Sequence, residues 1–165
     1  MKAEFILDGR VRVGDDLPFS ALRSAVGDSA VSEIVLIFVN TNPFLPDSVL
    51  ALRSLLLERR AGVVLKTILY SNITDPDILL FLAGDIRIVA NPYIKVFIQN
   101  DKTDKNTGAS SNRAAVSKLL QQYLPLENIS GHWLSKKDLS DWGLIEDSPV
   151  QNYLKEIQAE LREFQ

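Results

Sequence analysis

The chain has 165 residues, a formal net charge of −3 at pH 7 and no cysteine. That length suits a single domain, and 46% hydrophobic with 24% charged residues is ordinary for a globular protein. The acidic balance argues against a nucleic-acid surface, and the lack of cysteine excludes disulfides, thiolate nucleophiles and sulfur-ligated metals. Because neither a signal-peptide pattern nor a membrane-length apolar run is present, we expect a cytoplasmic protein that binds neither nucleic acid nor membrane.

The first part of the chain alternates apolar strands with amphipathic helices. Strands are predicted at 3–7, 33–39 and 63–70, and the second is a near-continuous apolar run typical of a parallel strand covered on both faces. Helices are predicted at 19–26 and 47–60, where apolar residues recur at steps of three and four. Alternating strands and helices of this kind predict an α/β domain with right-handed crossovers.

The stretch 63–84 is the centre of the prediction: a strand, a polar bend and a short apolar helix. Asp75-Pro76-Asp77 opens the helix, and we expect Thr74 or Asp75 to cap its free amides. Since the helix is apolar on all sides, it is predicted to be buried. Two carboxylates at such an elbow suit acid–base chemistry or a metal, but acids in a first helical turn are also expected from the helix dipole alone.

The second half of the chain is less regular. Half-covered strands are predicted at 85–90 and 93–99, and the polar tract 100–112 is typical of a mobile loop. An amphipathic helix is predicted at 113–124. A capping-box-like start at Ser135 predicts another short helix, and Leu144-Ile145 is predicted as an edge strand.

The last segment is predicted to be an amphipathic helix with one apolar stripe. The stripe consists of Val150, Leu154, Ile157, Leu161 and Phe164. We therefore divide the chain into a domain at 1–147 and a C-terminal amphipathic helix at 148–165. The stripe either docks on its own domain or forms an oligomer contact.

Four local phrases carry a resemblance: FILDGRV at 5–11, IVLIFVN at 34–40, DIRIVA at 85–90, and WLS at 133–135 with WGLIE at 142–146. Together they resemble the proteolytic subunit of the Clp protease (ClpP), within the wider ClpP/crotonase superfamily. FILDGRV at 5–11 is similar to the family's opening strand and turn, and IVLIFVN at 34–40 to the strand before its Ser-Pro-Gly-Gly loop. WLS at 133–135 with WGLIE at 142–146 is the most specific match, whereas DIRIVA at 85–90 is closer to the crotonase branch. The resemblance implies a ClpP/crotonase-like α/β spiral of repeated β-β-α and βαβ units with a C-terminal helix.

The ClpP resemblance also implies positions for a serine triad and an oxyanion loop, and every position carries the wrong residue. The nucleophilic serine falls on Asp75, the general-base histidine on Gln99 and the orienting aspartate on Gly131. The two glycines of the oxyanion loop fall on Pro43 and Phe44. Because serine hydrolysis needs a nucleophile, a base and amide donors, the resemblance implies a protein without catalytic residues.

Two functions of different classes follow. The leading prediction is a catalytically inactive ClpP-like pseudoenzyme, a structural or interaction subunit that forms a homo-oligomer or joins an active ClpP-like paralogue. The alternative is a divergent crotonase-like acyl-binding protein or enzyme that uses the Asp75/Asp77 elbow, although the elbow lacks the glycines usual in crotonases. The single histidine, His132, is either a displaced base or a residue chosen by packing. No cofactor or metal is predicted.

Overall fold

The computed structural model describes residues 1–8, 19–39, 43–99, 110–145 and 158–163. The elements in chain order are β1 (Lys2–Leu7), α1 (Phe19–Gly27), β2 (Glu33–Phe38), α2 (Pro46–Leu57), β3 (Val64–Leu69), β4 (Ile73–Thr74), α3 (Asp77–Leu82), β5 (Ile86–Val89), β6 (Lys95–Phe97), α4 (Ser110–Leu120), α5 (Leu126–Ile129), β7 (Trp133–Ser135) and α6 (Lys136–Asp141). Residues 158–163 are also helical.

The larger sheet has the strand order β1-β2-β3-β5, and every pair in it is parallel. The inner strand β2 buries Ile34, Val35, Leu36 and Phe38. Since successive side chains of a strand point to opposite faces, the sheet is covered on both faces at this strand. The predicted α/β fold with a covered parallel strand is therefore confirmed.

The short helix α3 lies in the core. All six of its residues are buried, as predicted from its apolar sequence. α3 packs against α2 and β3, and the Phe81 ring meets the Phe38 ring edge-on with centroids 6.4 Å apart. Burying a Leu, Ile or Phe side chain contributes about 1.5–3 kcal/mol each, so this helix anchors the sheet and the elbow before it.

A smaller sheet flanks the elbow. β4 pairs parallel with β6, and β6 pairs antiparallel with β7. Val96 and Leu134 are cross-strand partners on the buried face, whereas Phe97 and Trp133 oppose each other on the other face with ring centroids 4.9 Å apart. The two- and three-residue strands β4 and β7 were not predicted from the sequence.

The prediction of an edge strand at Leu144-Ile145 is wrong, because both backbone groups of Leu144 are bonded elsewhere. Its N–H donates to the Leu139 carbonyl at 2.9 Å, closing the turn after α6. Its carbonyl accepts from Arg87 Nη1 at 3.2 Å. The Leu144 N–H, which a strand partner would need, is thus used within the turn, and neither Leu144 nor Ile145 belongs to a strand.

One capping prediction fails and another is confirmed. Pro76 is the N-cap of α3, and neither Thr74 nor Asp75 caps its amides. At α6, however, the Ser135 hydroxyl accepts from the Asp138 N–H at 3.1 Å and the Asp138 carboxylate accepts from the Ser135 N–H at 2.8 Å. The predicted capping box is therefore present in full.

The C-terminal apolar stripe lies mostly outside the described residues. Val150, Leu154, Ile157 and Phe164 are outside them, as are residues 100–109 of the polar tract predicted at 100–112. The prediction of a loop is wrong for 110–112, because α4 begins at Ser110. Leu161 lies in the helical segment 158–163 and is 60% exposed. Within the described ranges, no helix is both long and apolar enough to cross a membrane.

Candidate functional site

The elbow, the bend from β3 through Asp75-Pro76 into α3, lies beyond the carboxyl ends of the parallel strands β2 and β3. The loop after β2 and the bend before α3 meet there, because the Phe44 N–H donates to Asp77 Oδ1 at 3.0 Å. Ligands of α/β proteins commonly bind outside this edge of a parallel sheet. The elbow therefore lies where ligands of this class of fold commonly bind.

Asp77 is a buried carboxylic acid, with only 2% of its surface exposed. Burial is the main cause that raises its pKa from an ordinary 3.8 to about 7. The Phe44 N–H opposes that rise by stabilising the ionised form, and the nearby charge of Asp75 adds to it. Asp77 can therefore gain or lose a proton close to neutral pH.

Asp75 is also buried, at 5% exposure, but it is surrounded by donors. Its Oδ1 accepts from the Gln99 N–H at 2.8 Å and from the Thr74 hydroxyl at 3.3 Å. Its own N–H donates to the Phe97 carbonyl at 3.3 Å, so the end of β6 fixes the bend. Donors aimed at a carboxylate favour its ionised form.

The Gln99 side chain ties the elbow to α4. Its Nε2 donates to the Asp75 carbonyl at 3.2 Å and to the Thr74 hydroxyl at 3.4 Å. Its Oε1 accepts from Arg113 Nη2, and because a guanidinium only donates, the orientation of the amide follows. Arg113 is a site residue that the sequence analysis missed, since nothing in the sequence places it beside a residue 14 positions earlier.

The structure brings most of the predicted triad and oxyanion-loop positions to one place. Asp75 and Gln99 are bonded to each other, and Phe44 is bonded to Asp77. Gly131 lies beside the end of β6 in the smaller sheet, where its N–H donates to the Ile98 carbonyl at 2.7 Å.

Two further residues named in the sequence analysis lie at the surface. Pro43 is exposed at the start of the described part of its loop. His132 is exposed too, and its Nδ1 lies 3.1 Å from the Ser130 carbonyl. Among the described residues, no group of three or more His, Asp or Glu side chains is placed to hold a metal ion.

A cavity of about 310 Å³ lies at the opposite end of α3. Arg87 lines it and donates to the Gly84 carbonyl at 3.0 Å and to the Leu144 carbonyl at 3.2 Å. The guanidinium also lies over the Tyr123 ring, 5.7 Å from its centroid. These contacts hold the turn after α6 against α3, so Arg87 has a structural task there.

Comparisons with known proteins support the fold. Neither a protein-family profile nor a curated protein matches the chain. Solved structures do match, among them three named as enoyl-CoA hydratases. One, an enoyl-CoA hydratase/isomerase from Mycobacterium abscessus, has a TM-score of 0.59 and 19% identity over 87% of this chain and 65% of its own. Another, from Mycobacterium marinum, has a TM-score of 0.52 and 16% identity over 94% of this chain and 79% of its own.

The third, from Mycobacterium thermoresistibile, has a TM-score of 0.51 and 15% identity over 99% of this chain and 74% of its own. The chain spans slightly less than two thirds of the first of these proteins. At these identities the likeness shows the fold, which is the crotonase-like fold.

These structures correct the leading functional prediction. They are named as enoyl-CoA hydratases, so the prediction of a ClpP-type pseudoenzyme is wrong, and no finding supports a ClpP-specific relationship. The phrases that carried the ClpP resemblance include WLS, which forms β7, and WGL, which forms the turn after α6. Both phrases form structural elements and contain neither Asp75 nor Asp77. They therefore indicated the fold correctly, but they carried no information about the function.

Proposed function

We propose that this chain is a divergent crotonase-like protein that binds an acyl thioester at the elbow and moves a proton there with Asp75 and Asp77. The observation that carries the proposal is Asp77, a buried acid whose pKa is raised to about 7, beside a second carboxylate. A general acid or base works best when its pKa lies near the operating pH. The named activity of the three solved structures suggests the thioester as the substrate class.

The two carboxylates take different roles in this proposal. Asp75 remains the ionised partner, held by the Gln99 N–H, and its charge helps to keep the proton on Asp77. Ionised Asp77 takes a proton from the carbon next to the thioester carbonyl, and the electron pair of the broken C–H bond moves to the carbonyl oxygen as an enolate. The protonated Asp77 exchanges its proton with solvent, and the acid then delivers a proton to the enolate carbon as the carbonyl re-forms; in D₂O the delivered atom is deuterium.

The enolate oxygen needs a donor, and Phe44 offers one. Its N–H is bonded to Asp77 Oδ1 in the free protein. A carboxylate oxygen and an enolate oxygen are both anionic acceptors, so a bound thioester can take over this N–H as negative charge develops. The same exchange would release Asp77 toward the substrate carbon.

The test measures proton exchange directly. The full chain is incubated with butyryl-CoA in D₂O, and NMR follows deuterium entry at the α-carbon. We expect exchange with the native chain and its loss in Asp77→Asn, which keeps an acceptor for the Phe44 N–H but cannot take the proton. The matched control is Asp47→Asn, an exposed acid in the first turn of α2, which should leave exchange unchanged.

Binding is measured on the same samples. A ligand at 100 times its Kd stabilises the native state by about 2.7 kcal/mol, which a thermal melt detects. Butyryl-CoA should stabilise the native chain and Asp77→Asn, whereas free CoA should stabilise both less. Absence of both stabilisation and exchange would overturn the proposed function.

A further inference from the structure

A positively charged side chain reaches the elbow from an element that follows it in the chain. Arg113, in the first part of α4, is half-buried and donates from Nη2 to Gln99 Oε1. α4 in turn packs against α2 and α3. The packing of α4 against α2 and α3 therefore places the Arg113 guanidinium beside the elbow.

The hydrogen bonds run in one direction, from Arg113 to the elbow. Arg113 fills the acceptor end of the Gln99 amide, so the donor end faces the Asp75 carbonyl at 3.2 Å and Thr74 at 3.4 Å. With the side chain fixed in this way, the backbone N–H of Gln99 meets Asp75 Oδ1 at 2.8 Å. Arg113 thus orients the Gln99 side chain, and Gln99 in turn contacts both the backbone and the carboxylate of Asp75.

We infer that Arg113 is a positioning residue for the carboxylate pair: it orients the Gln99 amide and supplies the positive charge that keeps Asp75 ionised. The consequence is that the one proton the pair holds near neutral pH resides on Asp77. For its catalytic meaning the inference rests on the proposed function. The protonation of the pair can be measured without any thioester.

The other charged side chains near α3 do not have this position. The elements packed against α3 carry Asp47 and Arg53 on α2, Lys66 on β3, and Arg113 and Lys118 on α4. Among the described residues, the charge that raises the pKa of Asp77 is that of Asp75. Lys118 is exposed on the same helix as Arg113, which makes it a matched control for loss of one positive charge.

The experiment is a ¹³C NMR titration of the aspartate carboxyl groups in the full chain. Removing the cation in Arg113→Gln should raise the lower apparent pKa of the pair by on the order of one unit, the scale of a nearby unit charge inside a protein. The upper apparent pKa should not fall. Arg113→Lys, which keeps the charge, should restore most of the native lower value, and Lys118→Gln should leave both values unchanged.

A merely structural role of Arg113 predicts the opposite result. If α4 only loosened and admitted water, the burial that raises the pKa of Asp77 would be relieved and the upper apparent pKa would fall. That fall, or an unchanged lower value, would overturn the inference. Should Arg113→Gln not fold, Gln99→Met removes the same bridge while keeping the cation. Because the cation stays, the lower value should rise by less than one unit, through loss of the oriented amide alone. No rise there would overturn the positioning role of Arg113.

The two proposals can fail separately. If the titration shifts as expected while butyryl-CoA neither binds nor exchanges, the proposed function fails and the role of Arg113 stands. If exchange occurs but Arg113→Gln leaves the titration and the pH profile of exchange unmoved, the proposed function stands and the role of Arg113 fails.

Discussion

The backbone N–H of Phe44 donates to Asp77 Oδ1 at 3.0 Å and joins two segments that are 33 residues apart in the chain. This one bond closes the loop before α2 over the first turn of α3. It stabilises the ionised acid, but the burial of Asp77 outweighs it, so the pKa is still raised to about 7. The elbow is therefore least stable when Asp77 carries its charge.

The first prediction is that the free energy of unfolding falls as the pH rises from about 4 to about 7. In that window folded Asp77 keeps its proton, since its pKa is raised from 3.8 to about 7, whereas the unfolded chain has lost it. The native state binds more protons, so stability is highest below the unfolded pKa and is lost as the pH passes through the folded one. The full difference is on the order of 4 kcal/mol.

Urea unfolding at pH 5 and pH 7.5 measures the larger part of this difference, about 2.5 kcal/mol. Asp77→Asn cannot ionise, so its stability should change much less between the two values, whereas Asp47→Asn should follow the native chain. An Asp77→Asn variant that retains the full native pH dependence would show that another group is responsible.

The long elements could be predicted from the sequence because their apolar residues repeat with a helical or strand period. β2 and α2 are examples, and the structure has both within three residues of the predicted ends. β4 and β7 have two and three residues, too few for any period to be visible. The pair Leu144-Ile145 had a strand-like composition, but Leu144 instead bonds to Leu139 within the turn and accepts a hydrogen bond from the distant Arg87.

The second prediction concerns the capping box of α6. Ser135→Ala removes the hydroxyl that accepts from the Asp138 N–H, and loss of such a cap typically costs about 1 kcal/mol of stability. Ser140→Ala, an exposed change in the same helix, should alter the free energy of unfolding by less than about 0.5 kcal/mol. Equal effects from the two serines in urea unfolding would argue against the cap.

The capping box also has a pH dependence of known sign. The backbone N–H of Ser135, and then its hydroxyl, hold the pKa of Asp138 below its ordinary value. The stabilisation is therefore present above the unfolded pKa and is lost as the pH falls through the folded one. The difference between Ser135→Ala and the native chain should shrink in acid.

The third prediction is that the intact chain self-associates through its C-terminal apolar stripe. Leu161, the stripe residue within the described part of the chain, is 60% exposed. A second copy would remove that apolar surface from water. Light scattering should show an oligomer for the intact chain, a smaller species after truncation following Pro149, and weaker association for Leu161→Glu than for the neighbouring control Glu160→Gln. A monomeric intact chain at micromolar concentration would contradict this.

The candidate site was only partly predictable. Asp75 and Asp77 stand out in the sequence because two acids flank a proline before an apolar helix. Their opposite environments do not, since the donors on Asp75 come from Gln99 and the donor on Asp77 comes from Phe44. Gln99 looked like a lost base, and only the folded chain shows it as a bridge to Arg113. Contacts between distant segments leave no periodic signal in the chain.

The last prediction concerns the close contact between Gly84 and Thr67, which joins the end of α3 to β3. A Cβ at Gly84 would lie 2.5 Å from Thr67 Oγ1, 3.0 Å from Thr67 Cγ2 and 3.1 Å from the Ile86 carbonyl. Thr67 is fully buried and its hydroxyl donates to the Phe81 carbonyl at 2.7 Å, so it has little room to move. We expect Gly84→Ala to destabilise the fold by about 1–3 kcal/mol, the usual range for overpacking.

Gly27→Ala is the matched control, because a Cβ there meets no atom within 4 Å and Gly27 is not among the glycines with positive φ. It should be neutral or stabilise the chain by up to about 1 kcal/mol. If the clash is the cause, adding Thr67→Ala to Gly84→Ala should destabilise the chain by less than the sum of the two single changes in urea unfolding. Strict additivity would mean that the glycine is needed for some reason other than contact with Thr67, and the account of this junction would have to be abandoned.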